Sequence, residues 1–230
     1  MKKLLTIFIL IISFTCAKAQ FQGSFGPTIG GNLGFQYVKE PNIEAYNLFS
    51  IRGLNYGVMA FLTWHPKAGY RKDGMGYGFR PTLSINQKGS IQKEDFKVGG
   101  IKSRRCRLTY IELAVPIIMK EKELEIFPNA ASIFLGIGPT IGKLLSNTIT
   151  TTSTSSSIPV NNSKLAVGSK ATDDIKPYNY GIKAVVGSKF GHFSASLELD
   201  IGLNHSPQPD TYISNRQLAI NLAWMLNSPI

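Results

Sequence analysis

Phe193-Ser194-Ala195-Ser196-Leu197-Glu198-Leu199-Asp200-Ile201-Gly202-Leu203-Asn204 alternates apolar and polar residues without a break. Successive side chains of a strand point to opposite faces, so Phe193, Ala195, Leu197, Leu199, Ile201 and Leu203 form one greasy face. Ser194, Ser196, Glu198, Asp200, Gly202 and Asn204 form a wet one. In a soluble sheet the greasy face turns toward a core. In a membrane barrel it turns toward lipid, and the wet face fills the lumen.

The same alternation recurs along the chain. Phe25, Pro27, Ile29, Leu33, Phe35 and Tyr37 oppose Ser24, Gly26, Thr28, Gly30, Asn32, Gly34 and Gln36, and Leu54, Tyr56, Val58, Ala60, Leu62 and Trp64 oppose Asn55, Gly57, Met59, Phe61 and Thr63. Tyr77, Phe79, Pro81, Leu83 and Ile85 face away from Gly78, Arg80, Thr82, Ser84, Asn86 and Lys88. Ile111, Leu113, Val115, Ile117 and Met119 do so from Tyr110, Glu112, Ala114, Pro116, Ile118 and Lys120. Further segments begin at Ser132, Tyr178 and Gln217, and the alternation is less sharp in the segments from Tyr110 and Ser132. Roughly eight segments with no convincing helical period predict an all-β fold, an eight-stranded antiparallel up-and-down transmembrane β-barrel. Its lipid face is expected to include Leu62, Phe79, Leu113, Leu199 and Leu222, so that Leu199→Arg harms assembly more than Ser196→Arg where space permits. Glycine crowding the inner positions fits a narrow barrel, and Pro81 withholds a ladder donor.

Residues 1–19 read as a signal peptide: Lys2 and Lys3, an apolar run from Leu4 to Phe14, then Ala17-Lys18-Ala19 before Gln20. The run of about eleven residues is too short to span a bilayer. Cleavage after Ala19 leaves residues 20–230 as one barrel domain, with formal charge +8 (11 − 3, for Lys2, Lys3 and Lys18) and Cys106 as its sole cysteine. A mean hydropathy of +0.00 is ordinary for a barrel whose two faces cancel. With both termini periplasmic, outer loops are expected at 39–52, 89–107, 143–177 and 204–216, and inner turns near 65–75, 120–130 and 188–192. The third outer loop holds a Ser/Thr-rich run, Thr148 to Ser157, and deleting Thr148 to Ser163 is expected to leave the barrel folded. Export argues against a nucleic-acid partner despite a pI near 9.7.

The chain resembles the PorT-like outer-membrane β-barrel family of Bacteroidota. The resemblance rests on the leader ending in Ala19-Gln20, an early Gly-rich strand, the run from Arg80 to Gly89, the segment Tyr110-Ile111-Glu112-Leu113-Ala114-Val115-Pro116-Ile117-Ile118-Met119-Lys120, Gly138-Pro139, and Tyr180-Gly181. It implies an outer-membrane barrel and a link to secretion for the founding member. Between Glu112 and Pro116 the chain carries one or two more residues than the family pattern, which a β-bulge could absorb, and its last residues, Asn227 to Ile230, lack the terminal aromatic.

Arg80, Lys88, Glu112, Lys183, Glu198 and Asp200 have inward parity, in a barrel whose interior is only wide enough for side chains. Lone buried charges are costly, so an internal ion-pair network standing in for a hydrophobic core is expected. A narrow polar conduit is the alternative. Lys183 and Glu198 lie equidistant from a turn centred between Phe190 and Gly191, which predicts that they sit directly opposite each other, with Ile182 opposite Leu199. Lys102, Arg104, Arg105 and Arg107, with Lys97, lie in or beside the second outer loop and are candidates for contacts with anionic lipopolysaccharide headgroups or an acidic partner.

The histidines are His65, His192 and His205; His205-Ser206 near Glu198 or Asp200 is a weak hint of hydrolytic chemistry, since adjacency gives no nucleophile and base geometry. No catalytic residue is assigned. No Cys pair, His cluster or acidic ligand run suggests a metal, and no Gly-rich strand-to-helix motif suggests a nucleotide, so no cofactor is expected. The expected protein is a monomeric, non-enzymatic outer-membrane barrel, a structural or interaction component of the envelope with ties to outer-membrane lipid, lipopolysaccharide and envelope or secretion proteins. A small passive pore is the alternative, and an outer-membrane lipid hydrolase a more distant one.

Overall fold

Period-two alternation favours extended backbone, and the ladder decides where each strand ends. A computed structural model of the chain describes residues 20–39, 46–47, 49–65, 76–96, 100–120, 131–153, 161–170, 175–204 and 212–226. The expected signal peptide, residues 1–19, lies outside them, as do His205 and Ser206. The strands are β1 (Gln20–Lys39), β2 (Tyr46–Asn47), β3 (Phe49–His65), β4 (Gly76–Phe79), β5 (Thr82–Phe96), β6 (Gly100–Ala114), β7 (Ile117–Lys120), β8 (Ala131–Ser153), β9 (Asn161–Ser163), β10 (Tyr178–Phe190), β11 (Phe193–Gly202) and β12 (Tyr212–Trp224).

Pairing runs antiparallel from β1 to β3, to β4 and β5, to β7 and β6, to β8, β10, β11 and β12, and from β12 back to β1. The ring therefore has eight staves, the third made of β4 with β5 and the fourth of β6 with β7. Closure removes the unpaired edges that an open sheet would present.

The breaks in the third and fourth staves come from prolines. Pro81 and Pro116 have no N–H to give, yet Ala60 N–H donates to the Pro81 carbonyl at 2.9 Å and Arg80 N–H to the Pro116 carbonyl at 2.9 Å. Register is unbroken across both interruptions: Ala114 faces Thr140 before the break and Ile117 faces Ile137 after it. The expected bulge between Glu112 and Pro116 is thus absent. The register shifts lie instead between Ser50 and Asn55 and at Thr109/Tyr110, where Leu145 is the extra residue on β8.

The barrel is greasy outside and polar inside. Ile29, Leu54, Ile137 and Ile220 are each at least 60% exposed, while Asn32, Arg80, Asn86, Glu112, Asp200 and Gln217 are buried in the lumen. Leu113, Leu199, Leu222 and Phe79 face outward and are exposed. Exposed aromatics collect near the end that holds the termini, with Phe25, Tyr77, Phe79, Phe190, Phe193 and Trp224, and Tyr178 and Tyr180 sit toward the far end. An aromatic girdle at one end of an apolar band fits a membrane-spanning barrel.

Two expectations are corrected. The turn before β11 is the two-residue loop Gly191-His192, closed by Phe190 opposite Phe193, and Gly191 takes φ 53°. A left-handed residue in so short a hairpin favours glycine. The hairpin centre moves by one residue, so Lys183 faces Asp200, Ile182 faces Ile201, and Glu198 faces Val185. A shift of two in pairing leaves every face unchanged.

The expected loop at 89–107 is also largely strand, and the one at 143–177 opens as strand: β5 runs to Phe96, β6 starts at Gly100, and β8 continues to Ser153 against β6. Lys102, Arg104, Arg105 and Arg107 accordingly belong to a strand, with Lys97 outside the described residues. Beyond the membrane band the alternation inverts. Leu108 and Ile149 turn inward and are buried, while Arg105, Arg107 and Thr148 turn outward and are exposed. The extra residue Leu145 changes the parity of β8, which is how Ile149 comes to lie inside beside the Leu108 stave. The Ser196 hydroxyl accepts from Arg80 Nη2 at 2.9 Å in a buried lumen, so no space is free there for an arginine.

Candidate functional site

The lumen is organised in three layers. Nearest the termini, Met59, Phe61, Ile118, Phe134, Val185, Ala223 and Met225 form an apolar plug. Phe61 and Phe134 meet edge to face at 5.0 Å. Gly187 makes room for this plug, because a Cβ there would lie 2.6 Å from the Phe134 ring and 2.4 Å from the Ala195 carbonyl oxygen.

Above the plug runs a ladder of ions. Arg80 Nη2 lies 2.7 Å from Glu198 Oε1, and Lys183 Nζ lies 3.3 Å from Glu198 Oε2 and 3.0 Å from Glu112 Oε1. Lys88 Nζ lies 2.6 Å from Glu112 Oε2 and 2.5 Å from Asp200 Oδ2, and the Thr140 hydroxyl donates to Asp200 Oδ1 at 3.4 Å. The order is Arg80, Glu198, Lys183, Glu112, Lys88, Asp200. Cations and carboxylates alternate three against three, so the buried set is neutral. The Arg80 guanidinium also caps the plug, 5.7 Å from the Phe61 ring centre and 5.6 Å from that of Phe134, where its buried Nε and Nη1 have no hydrogen-bond acceptor among the described residues.

The third layer is made of amides. Asn86 and Gln217 exchange two hydrogen bonds, at 2.8 and 2.6 Å, Asn32 donates to Asn86 at 3.0 Å, and Gln36 donates to Asn215 at 2.8 Å. The cavity between ladder and amides offers about 10 Å³ for water. That is room for about one molecule.

The ladder joins the six residues singled out above as interior charges, Arg80, Lys88, Glu112, Lys183, Glu198 and Asp200. The amide layer had no signal beyond its parity. Plug residues Met59, Phe61, Ile118 and Phe134 are apolar at inward parity, a break in the greasy-out, wet-in rule that marks where the lumen closes.

A second feature lies on the outer wall, beyond the apolar band. Arg105 faces Thr150 and Ile91, Arg107 faces Thr148, and Ser103 faces Thr152, with the two hydroxyls of the last pair 2.5 Å apart. These residues line a cleft of about 300 Å³. Lys102 and Arg104 occupy the alternate register positions of β6, opposite Ser153 and Thr151. His192 is elsewhere: its Nδ1 lies 2.8 Å from the Met225 carbonyl oxygen and its ring stacks on Trp224. Among the described residues, no group of three or more His, Cys, Asp and Glu is placed to hold a metal ion.

A closed barrel with a greasy exterior, an aromatic girdle and a filled polar lumen defines an integral membrane β-barrel of the bacterial outer-membrane kind. Residues 17–208 match the family model for the outer membrane protein beta-barrel domain, and the chain belongs to that family. No curated protein matches the sequence. Among solved structures it is similar to the attachment invasion locus protein Ail of Yersinia pestis, with 12% identity, 89% of this chain and 99% of that chain covered, and a TM-score of 0.38. It is also similar to Neisserial surface protein A, with 7% identity, 88% and 97% coverage, and a TM-score of 0.36.

Proposed function

We propose that the protein is a closed, non-enzymatic barrel of the outer membrane that acts as a structural or interaction component of the envelope and conducts no solute. The observation that carries this reading is the filled lumen: the six ladder residues are each no more than 4% exposed, the plug seals one end, and the cavity between holds about one water. A solute path would have to open the ladder and strand charges in a narrow, water-poor space. The barrel's activity therefore resides on its exterior and its ends.

In this reading residues 1–19 are cleaved, both termini are periplasmic, and the extended end built from β5, β6 and β8 stands outside the cell. The short Gly191-His192 turn then lies on the periplasmic side, where such barrels keep their short turns. The Tyr110 to Lys120 segment favours placement among PorT-like barrels. Planar-bilayer recordings on the full-length protein test the function. No unitary conductance is expected, and steady ion-selective steps would replace this reading with the pore.

A further inference from the structure

Among the described side chains, charge is segregated. Of the chain's 14 carboxylates, the three whose side chains are described, Glu112, Glu198 and Asp200, all lie in the neutral ladder. The exposed ionic side chains of the described wall are cations: Arg52, Arg105, Arg107 and Lys143. Arg105 and Arg107 stand two residues apart on one face of β6, about 7 Å along the strand, and no described carboxylate lies beside either. Two like charges held this close by the backbone gain most from a shared anion. Guanidinium groups take phosphate oxygens through paired, charge-assisted hydrogen bonds.

Below the cleft the wall turns apolar. Along the same outward face of β6, Arg107 is followed by Thr109 and then by Ile111 and Leu113, which are exposed in the apolar band. Ile111 lies four residues from Arg107, about 13 Å along the strand, and Ile91 adds an apolar wall beside Arg105. Thr148, Thr150 and Thr152 line the opposite bank with hydroxyls. A ligand that fits carries phosphate above and acyl chains below within one molecule.

We propose that Arg105 and Arg107, with the threonines of β8, form a binding site for the phosphate groups of lipid A in the outer leaflet. The proposal rests on the outward orientation of this end and assigns the site to two residues of the basic stretch rather than to all of it. Lipid held there tethers the barrel wall to the leaflet at one defined position.

The test uses full-length protein, detergent-solubilised and captured on an affinity resin, and measures retention of radiolabelled phosphorylated lipid A. Unlabelled phosphorylated lipid A is expected to compete about tenfold better than the same lipid stripped of phosphate, and inorganic phosphate at millimolar concentration to compete little. R105Q/R107Q is expected to lose about tenfold in retention, R105K/R107K less, and K164Q nothing. Heat-modifiable migration on gels shows whether each variant is folded. Single R105Q and R107Q are read alongside in case the pair fails to assemble.

Unchanged retention in the folded glutamine variants, or equal competition by dephosphorylated lipid A, overturns the site. Strong competition by inorganic phosphate overturns the lipid in favour of a free anion. Conductance of the same preparations keeps the two readings separate: a silent barrel that does not discriminate phosphate fails only here, and a conducting barrel that does fails only as a closed one.

Discussion

Removing Lys183 and Glu112 together should cost far less than removing either alone. The ladder divides into three neutral pairs: Arg80 with Glu198 at 2.7 Å, Lys183 with Glu112 at 3.0 Å, and Lys88 with Asp200 at 2.5 Å. Lys183→Met leaves three carboxylates sharing two cations in a buried lumen, and Glu112→Gln leaves the reverse. Breaking one partner of a buried pair costs about 3 to 5 kcal/mol, because a charge stays behind without compensation. The double substitution leaves two complete pairs, so its cost should fall to about 1 kcal/mol or less, and a buried ion pair replaced whole is often near neutral. The coupling energy should then reach about 3 kcal/mol or more, at the upper end for residues in contact. The control is Lys183→Met with Glu198→Gln. That pair also keeps net charge at zero but strips Arg80 of its 2.7 Å carboxylate and leaves Glu112 and Asp200 on Lys88 alone. Its cost should approach the sum of its singles. Urea titration in lipid vesicles, followed by tryptophan fluorescence and heat-modifiable migration, measures all five variants. The reasoning fails if the control recovers as much stability as Lys183→Met/Glu112→Gln, or if the singles cost less than about 1 kcal/mol.

Leu199→Arg places a charge on the lipid face midway along β11, where Leu199 stands between Ala184 and Leu218, and should cost about 2 to 4 kcal/mol in the same titration; a loss below 1 kcal/mol would mean that this face is not in hydrocarbon. Deleting residues 148–163 removes the β8 rungs opposite Arg107, Arg105, Arg104 and Ser103. The barrel below should keep its heat-modifiable migration, and limited proteolysis should now cut β6 between Lys102 and Arg107; continued protection there would show that the extension does not depend on β8.

The faces of the staves were legible because the membrane demands a strict period of two, and a single register error leaves them intact: Lys183, Glu198 and Asp200 point inward whichever residue centres the Gly191-His192 turn. Strand length was not legible. Beyond the apolar band the outward face of residues 143–153 meets water and Ile149 is the one large apolar side chain the segment buries, so Thr148 to Ser153 carried a composition that reads as loop while the backbone stays in the ladder. The inversion at Leu108 and Ile149 was hidden for a related reason, since one extra residue at Leu145 changes parity partway along β8 without any mark in the sequence.

The order of the ladder depends on residues that have no charge at all. Lys183 on the sixth stave reaches Glu112 on the fourth by crossing over the fifth, where its register partner is Gly138 and that of Glu112 is Gly142. Any side chain at Gly138 would also strike the neighbouring wall, because a Cβ there falls 2.3 Å from the Val115 carbonyl oxygen. Glycine on that stave thus brings the fourth, fifth and sixth staves close enough to let an ion pair skip a strand. Alternation within each strand supplies the charges, whereas their partners are set by curvature across three strands, and curvature is written in the small residues between the charges.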